Sequence, residues 1–589
     1  MKNWPLESSF AGRGWPPRRG TVHGKKQLLL LFLLGCFFTA QSQTLLTGRV
    51  VDSAGNKPLQ GVTVATDMSK RSAVTNALGV YQIRVTDKDK KLVFSYVGMK
   101  PVTRMLGSSA VYDVTMVTDI SGLSDVVVVG YGTQKRSATT GSIATITTKD
   151  IDRVHGGATV STTLAGKLPG VTFRMPDGRP GSSANIQIRN MGTPLYVIDG
   201  IQQDEGQFNN LAPNDIESIS ILKDASAAIY GVRAANGVVV VTTKRGATGK
   251  NNVNIDAYSG WQQWFRFPKV LNNSYDYMSY LAEAQVNSFG STNITQAELD
   301  KYKQGASAGL QYRSFDWRKF IMSNDFAPQN SINVNINGGS DKVNYYVSAT
   351  NFYQNSVLGK EYQFMRTNIQ SNITAKLASG FKVGMDVNGR IESRENPGVP
   401  GLDDYWLARF AVLRNTPLER PYANDNPAYL NNIGHTETNY AFLNERLSGK
   451  FRSDWRVLQA NFHADYEVPG VKGLTLRGLY SYYIADYLLN NHEFTYNAYT
   501  FNPTDSSYNV TGGSTNPWRE REQIKQINTT MQGQISYNNT FGDHTIGATM
   551  VAERLKSQRT RNWIHASPVS NNLPLIYFPT ADTYQDSDD

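Results

Sequence analysis

Beyond residue 250 the chain is dominated by segments in which apolar and polar residues alternate. Residues 332–336, 381–391 and 458–468 place apolar side chains at every second position, and no charged residue interrupts the apolar series. A period of two residues predicts β-strands with one apolar and one polar face. The two longer segments have about the 9 to 11 residues that a β-strand needs to cross a membrane.

The connections between these predicted strands differ on their two sides. Residues 338–341 (GGSD) predict a tight turn, whereas the polar stretches 392–452 and 490–526 are far longer. Short turns on one side, long loops on the other and tyrosines in the strands are typical of outer-membrane barrels. The strand tyrosines are Tyr345, Tyr466, Tyr480 and Tyr482. The pattern favours a transmembrane antiparallel β-barrel over a soluble β-sandwich, whose half-buried strands alternate in the same way.

Two smaller units precede the alternating segments. Short β-prone runs between turn residues predict a small antiparallel β-sandwich over residues 46–117, with strands at residues 47–52, 61–66, 79–85 and 91–96. Residues 137–246 predict a compact α/β unit with helices at residues 159–168 and 225–230 and strands at residues 182–190, 193–199, 215–223 and 237–244. Asp224 is placed to cap the second helix and Gly231 to end it.

A β-branched run flanked by serine and glycine, residues 124–132 (SDVVVVGYG), separates these two units. Four consecutive valines favour an extended backbone, and the flanking glycines isolate the run from its neighbours. An isolated extended segment can add a strand to the edge of a partner's sheet. The alternative is an ordinary buried strand.

The apolar run at residues 28–40 follows Lys25 and Lys26 and precedes a small-x-small pattern at residues 40–42. These features predict a secretory signal peptide with a long leading segment. A transmembrane anchor is disfavoured because the run is shorter than the roughly 20 residues of a typical span. Cys36 lies within the run, and its alternative role is lipid attachment at a lipoprotein processing site.

Composition narrows the remaining classes of protein. The 589 residues have a mean hydropathy of -0.41, which is too polar for a bundle of membrane helices. The net charge of +10 comes from Lys and Arg spread along the chain, so nucleic acid is not an expected partner. Cys36 is the only cysteine, so cleavage of the signal peptide leaves no disulfide or thiolate chemistry.

Motifs that carry catalysis or bind metals are not found. The chain has no GxSxG and no HExxH motif, and its seven histidines are scattered. We therefore expect no catalytic residue, no metal and no cofactor. Asp403 and Asp404 lie in a predicted outer loop, where a solvated turn is favoured over an acid/base or calcium role. The neighbouring Tyr405 and Trp406 are weak candidates for binding a substrate, and Tyr499 and Phe501 could either stack on a sugar or pack on each other.

Several strings resemble a known family in its domain order. Residues 48–64 (GRVVDSAGNKPLQGVTV) resemble the carboxypeptidase-regulatory-like domain, and residues 195–200 (LYVIDG) and 215–246 (DIESISILKDASAAIYGVRAANGVVVVTTKRG) resemble the plug of the SusC/RagA family of TonB-linked outer-membrane proteins. The plug-signature residues are Leu195, Tyr196, Val197, Ile198, Asp199, Gly200, Lys223, Asp224, Ala225, Tyr230, Gly231, Asn236 and Gly237.

The resemblance implies a fold class and a domain order. The fold is expected to be mainly β, with a small N-terminal β-sandwich, an α/β plug and the first strands of a transmembrane barrel that has about 22 strands when complete. The expected domains are the signal peptide at 1–43, the sandwich at 44–118, a TonB-box-like linker at 119–136, the plug at 137–248 and a partial barrel at 249–589. The residues after 251 can supply on the order of ten strands, so we expect an incomplete barrel.

The resemblance also implies a function and partners. It predicts TonB-dependent import of oligosaccharides or peptides across the outer membrane, with a TonB-ExbB-ExbD complex, a SusD-like surface lipoprotein and outer-membrane lipid as partners. The residues implied to contact TonB are Asp125, Val126, Val127, Val128 and Val129. Two alternatives remain: a surface binding protein or adhesin that does not transport, and an inactive fragment of an interrupted transporter gene.

Overall fold

The computed structural model describes residues 43–53, 57–96, 99–117, 126–129, 132–135, 143–151, 157–322, 324, 326–398, 404–434, 439–514, 519–542, 544–566, 570–572 and 584–588. The predicted signal peptide up to residue 42, with Cys36, lies outside the described residues, as do Asp125 and Asp403. The chain divides after Val126 into two compact units. Within the part of the chain that is described, no helix is both long and apolar enough to span a membrane.

The first unit is a sandwich of two small sheets. Its strands are β1 (Gln43–Asp52), β2 (Thr63–Thr66), β3 (Ser72–Val74), β4 (Val80–Thr86), β5 (Lys91–Ser95), β6 (Val102–Met105) and β7 (Val114–Met116). The strand orders are β4-β1-β7 and β3-β2-β5-β6. Alternating side chains of both sheets form one core, whose fully buried members include Val50, Val64, Leu92, Phe94 and Met116.

One pairing in the sandwich differs from the antiparallel arrangement that the sequence predicts. The first half of β1 pairs antiparallel with β4, but its last residues pair parallel with β7, with Val50 opposite Val114. The chain passes through the second sheet between β4 and β7 and returns in the direction of β1. Because β1 is ten residues long, it has room for both partners.

A short two-stranded sheet, β8 (Val126–Val129) with β9 (Gly132–Lys135), follows the sandwich in the chain. The sequence therefore predicted the extended backbone of the valine run correctly. A lone hairpin of this length is only marginally stable in water.

Residues 143–246 form an α/β unit, called the plug unit below. Its elements are β10 (Ile143–Thr147), α1 (Thr148–Ile151), α2 (Val160–Leu164), β11 (Val171–Arg174), β12 (Asn185–Ile188), β13 (Leu195–Ile198), β14 (Ile201–Gln203), α3 (Glu205–Asn209), β15 (Ile216–Leu222) and β16 (Val238–Thr243), with 3₁₀ helices Pro213–Asp215, Asp224–Tyr230 and Val232–Ala234. The main sheet has the order β10-β15-β16-β13-β14. Its core includes the buried side chains of Leu164, Phe208, Ile219 and Val241.

The predicted helix at residues 225–230 is present, but its start is different. It is a 3₁₀ helix that includes Asp224 as its first residue, and Lys223 is the extended residue before it. The prediction that Asp224 caps this helix is therefore wrong, because the 3₁₀ helix begins one residue earlier. Gly231 ends the helix as predicted, with a φ of 75°.

The rest of the chain forms a large antiparallel sheet with long connections. Its strands are β17 (Gly249–Gln262), β18 (Ala327–Gly339), β19 (Val343–Ser356), β20 (Gly359–Ala378), β21 (Phe381–Pro397), β22 (Gly449–Glu467), β23 (Leu474–Glu493), β26 (Arg519–Phe541), β27 (His544–Ala566) and β28 (Tyr584–Asp588), and each pairs with the next. The expected number of about ten strands agrees with this sheet.

The connections contain further elements. These are α4 (Ser274–Phe289), α5 (Gln296–Gln304), α6 (Trp317–Ile321), α7 (Asp404–Arg414), α8 (Glu445–Ser448), the hairpin of β24 (Tyr496–Asn502) with β25 (Ser507–Ser514), and 3₁₀ helices Gly305–Ala308, Leu310–Tyr312, Ala423–Asp425 and Tyr440–Leu443. The long predicted loop at residues 490–526 therefore carries a hairpin of its own.

The apolar face of the large sheet is exposed, and its polar face is buried. On β21, Met385 and Ile391 are 37% and 60% exposed, whereas Asp386 and Arg390 are 5% and 7% exposed. This is the reverse of a soluble sandwich, in which the apolar face is buried. It agrees with the predicted barrel strands, because a lipid-facing surface is apolar and the interior polar.

The strands are longer than the sequence predicted. The alternating segment 381–391 lies in a strand of 17 residues, and segment 458–468 overlaps a strand of 19 residues. In β21 the extra residues 392–397 (ESRENP) follow no apolar alternation, because both faces are polar there. Cross-strand ion pairs stabilise this extension instead, such as Lys450 Nζ to Glu395 Oε2 at 2.9 Å.

Candidate functional site between the plug unit and the sheet

The plug unit contacts the buried polar face of the large sheet through hydrogen bonds. Asp215 ends the 3₁₀ helix before β15 and is 1% exposed. It accepts hydrogen bonds from Tyr346 Oη at 2.8 Å and Ser348 Oγ at 2.5 Å, both on β19. Burial raises the pKa of the Asp215 carboxyl, and the hydrogen bonds from Ser348 and Tyr346 oppose that shift. This carboxyl fixes the start of β15 to the sheet.

Asparagines of β20 continue the contact. Asn372 Nδ2 donates to Thr243 Oγ1 at 2.9 Å and to the Lys244 carbonyl at 2.7 Å. Asn368 Nδ2 donates to the Asn210 carbonyl at 2.8 Å. Each of these bonds pairs an amide with a neutral acceptor, so each stabilises the contact by only about 1 kcal/mol net.

A charged cluster joins the end of the plug unit to β21. Arg245 makes a bidentate pair with Asp386, from Nη1 to Oδ1 at 3.1 Å and from Nη2 to Oδ2 at 2.8 Å. Arg245 Nη2 also lies 4.0 Å from Asp199 Oδ1. Asp199 accepts hydrogen bonds from the Thr243 backbone N–H at 3.0 Å and from its hydroxyl at 2.7 Å. One guanidinium thus neutralises carboxylates from both sides of the interface.

Burial affects the acidity of Asp199 in this cluster. Burial raises the pKa of the Asp199 carboxyl, and the positive charge of Arg245 lowers it in part. A polar cavity of about 20 Å³ lies beside the cluster and is lined by Asp199, Gln207, Asp386, Asn388 and Asn461, among others. A cavity of this volume and polarity holds about one water molecule. This part of the interface is therefore polar and has room for a water molecule.

Asp386→Asn is expected to reduce the free energy that holds the plug unit on the sheet by about 2 kcal/mol. The variant removes the negative charge that faces Arg245 in a mostly buried ion pair. The expected effect is no larger because the Arg245 side chain is 35% exposed, so water screens the ion pair in part. Hydrogen exchange of the Val238–Thr243 amides in the full chain measures the effect. Lys382→Gln on the same strand is the control, since the Lys382–Glu467 pair is 39% and 60% exposed. Equal exchange in the two variants would contradict the role of Asp386.

The predicted plug-signature residues mostly support the plug unit itself. Leu195–Ile198 form β13 in the main sheet. Gly237 has a φ of 88° and lies so close to Ile188 that a side chain would clash. Lys223 Nζ donates to the Pro169 carbonyl, and Asn236 Nδ2 donates to the Thr193 carbonyl at 3.2 Å. Of this set, Asp199 is the one that reaches the charged cluster described above.

The other candidate residues are placed only in part. Tyr405 and Trp406 belong to α7, but their side chains lie outside the described part of the structure. The same holds for the side chains of Val126–Val129. Tyr499 and Phe501 pack within an aromatic cluster: Tyr499 lies 5.0 Å from Tyr429, and Phe501 lies 5.1 Å from Tyr508. Packing on other aromatic rings is thus the better interpretation of these two.

Sequence reasoning missed Asp215, Arg245 and Asp386 as interface residues. A signal was present, because Asp386 is the one acidic residue on the polar face of the predicted strand at residues 381–391. Its partner is 141 residues away in the chain, and no local pattern indicates such a pairing. Among the described residues, no three His, Cys, Asp or Glu side chains are grouped so that they could hold a metal ion.

Two family models match the chain. The TonB-dependent Receptor Plug Domain matches residues 135–238, and the CarboxypepD_reg-like domain matches residues 46–140. These matches cover the plug unit and the sandwich.

The chain is also similar to curated proteins. The chain is 33% identical over 362 residues to the TonB-dependent receptor P26 of Formosa agariphila. This match covers 59% of the chain and 34% of the relative. The chain is 29% identical over 435 residues to the TonB-dependent receptor SusC of Bacteroides thetaiotaomicron. This match covers 70% of the chain and 40% of the relative. The chain thus spans less than half the length of these two proteins.

A solved structure shows the same fold. The RagAB peptide importer in the 'open-open' state has a TM-score of 0.61 and 23% identity to this chain, and the match covers 79% of this chain and 53% of that one. The large sheet therefore has the fold of the barrel strands in that structure, and the alternating pattern predicted barrel strands correctly.

Proposed function

We propose that this chain, which is similar to TonB-dependent receptors, SusC among them, over more than half of its length, serves in the TonB-dependent import of a nutrient across the outer membrane. The observation that carries the proposal is the polar interface between the plug unit and the barrel strands. Its hydrogen-bonding groups exchange their partners for water at little net cost, so a moderate force can move the plug unit. An apolar interface of the same size would resist such a movement more strongly.

The energy input is proposed to act on the extended segment before the plug unit. In the proposal, TonB pairs with Asp125, Val126, Val127, Val128 and Val129 and, driven by ExbB and ExbD, pulls on the chain. The short β8–β9 hairpin supports this role, because a marginally stable pair of strands opens easily to accept another strand. The pull reaches the plug unit through the residues that follow β9.

The substrate and the surface partner are further parts of the proposal. We infer an oligosaccharide or a peptide, captured with a SusD-like lipoprotein over the outer loops, where Tyr405 and Trp406 are candidates for contact. The similarity to a peptide importer supports a substrate of this size. The sandwich is proposed to lie in the periplasm and the barrel strands in contact with outer-membrane lipid, which suits their exposed apolar face.

The test is uptake with and without TonB. Cells with the native gene and cells lacking it are given labelled short peptides and labelled oligosaccharides, and each strain is assayed with and without a working TonB system. We expect uptake that needs both the gene and TonB. Label that stays at the cell surface to the same extent with and without TonB would instead indicate a binding protein or adhesin and would refute import. Equal uptake by cells with and without the gene would indicate an inactive product.

A further inference from the structure

Three arginines on two neighbouring barrel strands face the plug unit. Arg366 lies on β20, and Arg390 and Arg394 lie on β21. The strand register places Arg366 opposite Glu392, with Asn368 opposite Arg390 and Phe364 opposite Arg394. Arg366 and Arg390 are only 2% and 7% exposed. Three guanidinium groups therefore share one small area of the polar face.

Among the described residues of the plug unit, the acceptors that these arginines contact are neutral. Arg366 donates from Nη2 to the Ala158 carbonyl at 2.7 Å and from Nη1 to Asn210 Oδ1 at 2.9 Å. Arg394 Nη2 lies 3.3 Å from the Pro180 carbonyl, and Arg390 Nη1 lies 3.5 Å from the Gly206 carbonyl. In contrast, Arg245 has two carboxylates.

Positive charge is therefore in excess at this place. Within the described residues, Glu392 is the one carboxylate at ion-pair distance from the three arginines, with Oε2 at 3.7 Å from Arg390 Nε. Both of these atoms are buried without a hydrogen-bond partner. Three cations thus face one anion, and a buried charge without a counter-charge is costly.

Aromatic rings partly stabilise the surplus cations. The Phe364 ring lies 5.9 Å from the Arg366 guanidinium and 6.0 Å from that of Arg394, and the Phe352 ring lies 5.7 Å from that of Arg366. Cation–π contacts of this kind contribute about 0.5 to 2 kcal/mol each. They keep the guanidinium groups in place without neutralising them, so the positive potential persists.

From this arrangement we infer a preference for substrates that carry carboxylates. When the plug unit moves, Arg366, Arg390 and Arg394 lose weak bonds to carbonyl oxygens and can bind a carboxylate, whose charge-assisted bonds are about twice as strong. A positive surface in a narrow passage also concentrates anions. The inference rests on the proposed import function. Uronic-acid oligosaccharides and acidic peptides share the required chemistry.

Two matched pairs of labelled probes test the inference in cells that carry the full chain. One pair is tetragalacturonate and its methyl ester; the other is tetraglutamate and tetraglutamine. We expect TonB-dependent uptake to favour the anionic member of at least one pair by about tenfold, or about 1.4 kcal/mol. The pair that shows the preference identifies the source of the carboxylate.

Two variants connect the preference to the arginines. Arg390→Gln and Arg394→Gln are expected to bring the uptake ratio close to one, whereas Arg452→Gln leaves it unchanged because Arg452 is 50% exposed and pairs with Glu395 and Asp454. TonB-dependent uptake that is equal for the charged and neutral members of both pairs would overturn this inference alone. So would a preference for the anionic probe that is unchanged in both variants. If the uptake of none of the four probes depends on TonB, both the import function and this inference are overturned.

Discussion

Proline at position 127 is expected to reduce TonB-dependent uptake by at least about 100-fold while leaving the binding of substrate to the cell surface unchanged. Strand addition depends on main-chain hydrogen bonds, and proline has no N–H to donate and is excluded from the middle of a paired strand. A factor of about 100 corresponds to about 2.8 kcal/mol of lost pairing free energy. The described β8 centres on this position.

Val127→Ala is the matched control. Alanine shortens the side chain but keeps the N–H, so we expect it to retain most of the uptake. Uptake of the labelled substrate, its binding to intact cells and the amount of protein in the outer membrane are measured for both variants. Full uptake by the proline variant, at a normal amount of protein, would show that this segment does not pair with TonB.

The faces of the barrel strands could be predicted from the sequence, and so could the central strand of the plug unit. In strand β21 the alternation alone assigns Met385 and Asp386 to opposite faces, and the structure agrees. The GVVVVTTK run at residues 237–244 predicts a strand, and Val238–Thr243 is the central β16. These predictions succeed because the period of a strand is a local property.

Long-range pairing and helix type were beyond local patterns. The parallel pairing of β1 with β7 depends on the path of the chain through a second sheet, which the sequence of β7 does not indicate. The 3₁₀ helix at Asp224–Tyr230 differs from an α-helix by one residue in its hydrogen bonds, and alanines suit both. The partner of Asp386 is set by tertiary packing alone.

The plug unit is attached to the barrel strands in two ways with different consequences. The Arg245–Asp386 pair is a contact between opposite charges that resists separation. The contacts of Arg366 and Arg394 involve neutral carbonyl oxygens and can be exchanged for an anion. A pull on the chain before β10 therefore meets one strong contact and many weak ones, so the plug unit can be held at rest and still move under force.

Alanine at position 181 is expected to weaken the docking of the plug unit by about 2 to 5 kcal/mol. Gly181 has a φ of 73°, and a Cβ there would lie 2.6 Å from Cγ of Phe364, whose ring is fully buried. Backbone strain contributes about 1 to 2 kcal/mol and overpacking about 1 to 3 kcal/mol. The ring cannot move aside, because it packs against Phe352 and the guanidinium of Arg366.

Alanine variants of two other glycines in the plug unit distinguish the cost of backbone strain from the cost of a steric clash. Gly166 has a φ of 77° with open space around it, so Gly166→Ala should cost only the strain, about 1 to 2 kcal/mol. Gly178 has neither a positive φ nor a neighbour within 4 Å, so Gly178→Ala should cost nothing measurable. Hydrogen exchange and protease cleavage of the plug unit in the full chain rank the three variants. If Gly181→Ala behaves like Gly166→Ala, the Phe364 ring does not hold the plug unit, and the polar contacts alone attach it to the barrel strands.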